Sequence, residues 1–176
     1  MSTESTTRLR EVQRVSRTLR AFFILTFVLT VLGLLAALFG PEPRPIELVG
    51  SVFAPELVTA KLRFVWFTKT VLRAAVALKA FYHLIRLFGL YADGRIFTAR
   101  NVGQIRQLGV TLLLLPALWV LVLLAVVPEI AATDNGWLNL LPSFPMTAGL
   151  GGGIVIMLAW IMDVGRDLRD EHELVI

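Results

Sequence analysis

The sequence predicts an all-α integral membrane protein, a bundle of four transmembrane helices with cytoplasmic N- and C-termini. Two observations predict the class and a third the topology. Hydrophobic residues make up 56% of the chain and charged residues 17%, at a mean hydropathy of +0.74, well away from a soluble globular composition. Several uncharged intervals reach the roughly 20 residues that one bilayer crossing needs. The arginines flank these intervals unequally, as the positive-inside bias requires.

Composition also narrows chemistry. The absence of Cys removes disulfides, thiolate nucleophiles and iron–sulfur ligation. A formal charge of +4 in so apolar a chain is read as an orientation signal before a nucleic-acid footprint.

Residues 1–20 form a basic cytoplasmic segment with five Arg and two Glu. The segment reads first as a basic flank that orients the next helix; Leu9, Val12, Ser16 and Leu19 also recur at helical spacing beside a stripe of Arg10, Arg14 and Arg17, so the alternative is a short helix lying on an anionic surface. A signal peptide does not fit. The run Ala21–Phe39 exceeds a typical h-region, and PEPRPIE has no small-residue cleavage pattern.

A transmembrane domain then occupies residues 21–165, with spans near 21–40, 65–88, 108–128 and 146–163, followed by a charged cytoplasmic tail at 166–176. The interval between Arg20 and Glu42 holds 21 residues, about 31 Å of helix at 1.5 Å per residue. Thr26 and Thr30 can return their hydroxyls to carbonyls one turn back. Pro41, Pro43 and Pro45 end the helix, and Pro41–Arg63 reads as an exposed loop with room for a little local structure.

Helix two is long enough to cross but carries Lys69, Arg73, Lys79, His83 and Arg86. On a wheel these fall at about 0°, 40°, 280°, 320° and 260°, one face about 140° wide. It crosses if that stripe faces helices or water, or if Lys69 and Arg86 snorkel; otherwise it lies flat. Topology decides between them. With helix two spanning, eleven Arg stand on the cytoplasmic side against three basic residues outside.

The stretch Tyr82–Arg106 is the inside linker. Asp93-Gly94 marks a tight reversal between Ala92 and Ile96, and Thr98 or Asn101 caps the helix that follows. Phe97 is the one large aromatic residue in its polar part and pins the loop. GLYADGR lacks the Gly spacing and the Lys-Ser or Lys-Thr pair of a phosphate loop.

Helix three fills the interval from Gln107 to Pro128, with Pro116 as a kink and Trp119 packing on another helix. Trp137 anchors the loop beyond it at an interface. Helix four runs from near Met146 to near Met162, with Gly149 and Gly153 spaced for close contact and Gly151 and Gly152 widening that surface. Asp163 ends the run, and His83 or Arg86 is its expected basic partner.

GRIFTARNVGQIRQLG ahead of a transmembrane run, together with DVGRDLRDEHELVI at the C-terminus, resembles the bacterial membrane family of unknown function 2975, over about Thr18–Ile176. The family's G-x-x-F-T-x-x-N segment falls on Gly94, Phe97, Thr98 and Asn101, and its E-x-x-L-x-I ending on Glu171, Leu174 and Ile176. The resemblance implies a multi-pass protein of the bacterial inner membrane with an external loop after the first span. It brings no established activity or catalytic residues. Some members resemble products encoded beside small helix-turn-helix regulators, which implies a link to signalling. The basic load of helix two departs from the simpler members.

Catalytic, cofactor-binding and metal residues are therefore all read as none: His83 and His172 stand on separate elements, and no predicted span holds paired carboxylates. The expected role is a non-enzymatic regulatory or protein- and lipid-interaction module. Its contact surface is the motif Gly94, Phe97, Thr98, Arg100, Asn101, Glu171, Leu174 and Ile176, and its partners are membrane lipids and a protein or a second copy of the chain. The alternative is a subunit of an oligomeric transporter or channel, with Lys69, Arg73, Lys79, His83, Arg86 and Asp163 as an intramembrane polar stripe. Direct nucleic-acid binding is not expected, because the cytoplasmic arginines are already required for orientation and no recognition motif is present.

Overall fold

Prolines and a Gly-containing turn divide the chain into helices much longer than its apolar runs. The computed structural model describes residues 3–40, 46–48, 51–53, 59–94, 98–131 and 145–173. Helix α1 covers Thr3–Phe39, α2 Ala60–Ala92, α3 Ala99–Ala131 and α4 Met146–Glu173. Between α1 and α2, strands β1 (Ile46–Leu48) and β2 (Ser51–Phe53) pair antiparallel, with Glu47 opposite Val52. The loop expected there thus contains a small hairpin, and α2 begins at Ala60. Thr59 caps it, its hydroxyl accepting the N–H of Leu62 at 3.3 Å.

Helices α1, α3 and α4 each contain a stretch long and apolar enough to cross a membrane, within Arg10–Phe39, Ala99–Pro128 and Met146–Gly165. Their apolar side chains stay largely uncovered: Leu25 and Leu29 of α1, Leu121 and Leu124 of α3, and Ile154 and Ile161 of α4 are all exposed. Such faces suit a hydrocarbon surround or another apolar surface better than water. Helix α2 falls outside that group because of its basic residues, yet its 33 residues match the 33 of α3.

Each helix packs on its chain neighbour: α1 on α2, α2 on α3 and α3 on α4. Contacts run antiparallel. Phe23 meets Phe81 and Phe88, Leu62 clusters with Val122 and Val126, and the Gly109 position abuts Gly152 and Ile156. The result is a row of neighbours in which α1 and α4 make no substantial contact among the described residues. Trp119 packs against the Leu62 cluster, as its interior position implies.

Two local expectations hold at the level of single bonds. Thr26 donates its hydroxyl to the Phe22 carbonyl at 2.9 Å and Thr30 to that of Thr26 at 2.8 Å. The N-terminal segment departs from the surface-helix alternative. It does not form a separate short helix but continues α1, with Gln13 reaching the Gly94 position, Ser16 buried at 3% exposure and Arg20 lying beside Gly89. Packing against the end of α2 gives these residues a seat on the row itself.

The crossing of α3 and α4 is where two backbones come closest. A Cβ on Gly109 would stand 2.9 Å from the Gly152 carbonyl oxygen, and one on Gly152 would stand 2.9 Å from that of Gly109. The pair meeting there is Gly109 and Gly152, not Gly149 and Gly153: Gly149 faces the Pro116 ring, and Gly153 and Gly151 face open space. α3 continues as helix through Pro116. In a bilayer such a seam is held by close packing, so Gly109→Ala and Gly152→Ala should each cost about 1–3 kcal/mol. Gly153→Ala should leave thermal stability in detergent unchanged; equal melting temperatures for all three variants would remove this crossing as the determinant.

Candidate functional site

The family-like segment builds a helical hairpin. At the end of α2 the Asp93 N–H donates to the Gly89 carbonyl at 3.2 Å and the Gly94 N–H to that of Tyr91 at 3.0 Å. Gly94 has φ of 76°, a left-handed value that strains any residue with a Cβ. α3 then starts on Thr98, whose carbonyl accepts from Asn101 N–H at 2.9 Å and Val102 N–H at 3.3 Å. Asn101 lies inside the first turn, fully buried at 0% exposure. The Thr98 hydroxyl is buried without a hydrogen-bond partner among the described residues. Thr98 therefore starts the helix through its carbonyl, and Asn101 is a buried member of the hairpin.

Arg100 is exposed on the same turn. Phe97, Leu174 and Ile176 lie outside the described residues, as does Trp137; Glu171 falls in the last part of α4, where the backbone alone is described.

Helix two's basic residues separate into three settings. Lys69 and Arg73 border a groove against α1, about 390 Å³ in volume, with Thr30, Gly33, Trp66 and Thr70 in its walls. His83 turns to α3. It is 8% exposed, and its Nδ1 lies 2.8 Å from Gln104 Oε1, so Nδ1 carries the hydrogen and donates it. Nε2 is buried with no partner among the described residues. Lys79 and Arg86 are exposed, and the Arg86 guanidinium sits 5.3 Å from the centre of the Tyr82 ring, a cation–π distance. Just beyond, partial burial disfavours the phenolate and pushes the Tyr91 phenol above its ordinary value.

A second cavity, also about 390 Å³, opens between α3 and α4, with Ala99, Gly103, Arg106, Ala159, Trp160 and Asp163 among its walls. The structure thus sets Asp163 in a cavity with Arg106 of α3, while its two expected partners on α2 are turned to Gln104 and Tyr82.

A family model matches residues 56–176, more than half of the chain. The chain belongs to the DUF2975 family, described as proteins of unknown function. No curated protein and no solved structure matches the chain. The DUF2975 match takes in α2, α3 and α4, and therefore the hairpin motif and the α3–α4 cavity, while α1 precedes it. Among the described residues no group of His, Asp and Glu is disposed to hold a metal ion.

Sequence reading missed Gln104 as the partner of His83. A signal was present: both lie ten residues from Asp93-Gly94, on opposite sides, and a tight antiparallel hairpin brings equidistant positions together. If this bond ties α2 to α3, the losses of stability in His83→Ala and Gln104→Ala should overlap in the double variant by about 0.5–1.5 kcal/mol. Strictly additive losses in thermal unfolding would show that the two side chains act independently.

Proposed function

We propose that this DUF2975 member is a non-enzymatic, four-span protein of the bacterial inner membrane, acting as a regulatory or protein- and lipid-interaction module through its hairpin end. The observation that carries this reading is the gathering of arginines at one end of the row. Gln13 at the Gly94 position and Arg20 beside Gly89 bring the N-terminal part of α1 to the α2–α3 turn. Arg10, Arg14, Arg17 and Arg20 of α1 therefore share an end with Arg86, Arg100 and Arg106. Those side chains are exposed, whereas the flanks of α1, α3 and α4 between the two ends are apolar. A basic end on an apolar body suits the cytoplasmic face of an anionic membrane.

α2 supports the fourth span in this reading. It lies between α1 and α3, so a surface-lying α2 would have to give up both seams. The transporter alternative gains no specific support from the described residues, where Lys69 and Arg73 border α1, His83 turns to α3 and Arg86 lies over Tyr82.

Reporters fused after Leu90 should give a cytoplasmic signal; an external signal there removes the four-span reading. A photoreactive residue at Phe97 should capture a discrete protein or lipid in intact cells. Capture that is unaltered by Arg100→Glu would reject the hairpin end as the contact surface.

A further inference from the structure

The cavity between α3 and α4 combines Arg106, one of the arginines of the basic end, with two groups that the proposed role does not use. Arg106 supplies a cation, Asp163 an anion and Trp160 an aromatic face, all to one space of about 390 Å³, within the roughly 300–1,000 Å³ range of small-molecule sites. Arg106 and Trp160 are exposed and Asp163 is half-buried, so the groups are reachable from the flank of the row. Small residues make the room: Ala99, Gly103 and Ala159 belong to the wall, and a Cβ on Gly103 would meet nothing within 4 Å.

Its depth is informative. Arg106 precedes the long apolar run of α3, and Asp163 follows that of α4, so the charges lie where hydrocarbon gives way to headgroups. We propose that this cavity binds the headgroup of a bilayer phospholipid bearing both a phosphate and a primary ammonium, as in phosphatidylethanolamine.

Arg106 takes the phosphate, for which a guanidinium offers paired donors. Asp163 takes the ammonium, whose N–H groups it accepts, and the Trp160 ring flanks the same cation. A purely anionic headgroup would bring its charge to Arg106 but gain nothing from Asp163. A choline headgroup has no N–H to donate to the carboxylate. The acyl chains run along the exposed apolar side of α4, where Met157 and Ile161 lie near Trp160 in sequence. The inference rests on α3 and α4 spanning the bilayer and not on α2, so the reporter after Leu90 and the lipid measurement fail separately.

The test uses the full chain in detergent micelles doped with dioleoyl phosphatidylethanolamine, phosphatidylglycerol or phosphatidylcholine, with retained lipid counted by native mass spectrometry. Phosphatidylethanolamine should be retained over each of the others by about fivefold, the size of one partly exposed charged contact. Asp163→Asn should bring that preference close to parity, and Arg106→Gln should lower retention of all three. Gly103→Leu, which fills open space, should abolish selective retention while leaving the melting temperature in lipid-free detergent unchanged. Equal retention of the three lipids by the unaltered chain would overturn the proposal. So would an unchanged preference in Asp163→Asn, or changes in melting temperature alone, the mark of a purely structural role for the two charges.

Discussion

Five basic side chains of α2, from Lys69 to Arg86, stand between two apolar neighbours, and the arrangement of the row follows from how they are placed. An ionisable group in a membrane helix is costly unless it is paired, reaches an interface or faces a polar space. In the four-span reading, α2 meets this by placing its basic groups in different settings. His83 bonds Gln104 through Nδ1 across the hairpin, Lys79 is exposed, Arg86 lies over Tyr82 near the basic end, and Lys69 and Arg73 share a groove with Thr30 and Thr70. Burying all five against one neighbour would concentrate like charge in a low dielectric; dividing them among two seams and an edge avoids this.

The three seams are consequently unlike one another. Between α1 and α2 the contact is aromatic, with the Phe23 and Phe88 rings stacked at 5.5 Å and 16°. Between α2 and α3 it changes along its length, from an aliphatic cluster around Leu62 and Val126 to the His83–Gln104 bond. Between α3 and α4 it is a backbone approach at Gly109 and Gly152. Lipid tails compete equally for any aliphatic surface, so shape and polar bonds must distinguish neighbours. Rings, a buried imidazole and bare glycines supply three distinct shapes, which accounts for a fixed order of packing without a shared central core.

What the sequence made legible was whatever depends on local chemistry. The Asp93-Gly94 reversal, the returned hydroxyls of Thr26 and Thr30 and the interior packing of Trp119 follow from residues acting within a turn or a long apolar run. Phase was harder. A wheel places Lys69 through Arg86 on one face, but α1 and α3 both border that helix, so one face of the wheel serves several neighbours. Likewise four glycines from Gly149 to Gly153 define a smooth patch without saying which of them meets a neighbour; only the facing Gly109 picks out Gly152. The α3–α4 cavity was invisible for the same reason, because Arg106 and Asp163 come together only once that crossing sets the register.

The hairpin motif illustrates how a sequence signature can be structural before it is anything else. Gly94 supplies the left-handed turn, Thr98 opens α3 and Asn101 is wholly enclosed, so none of these three offers a side chain free to meet a partner in passing. Enclosing Asn101 costs desolvation that its own bonding must offset. α1, although it precedes the matched segment, bears on the hairpin. Gln13 reaches the Gly94 turn, and Phe23 covers Phe81 and Phe88. Without α1 the turn would lose a contact and α2 would present two bare rings beside its cations. A helix outside the family match thus covers part of the apolar face beside the basic stripe of α2.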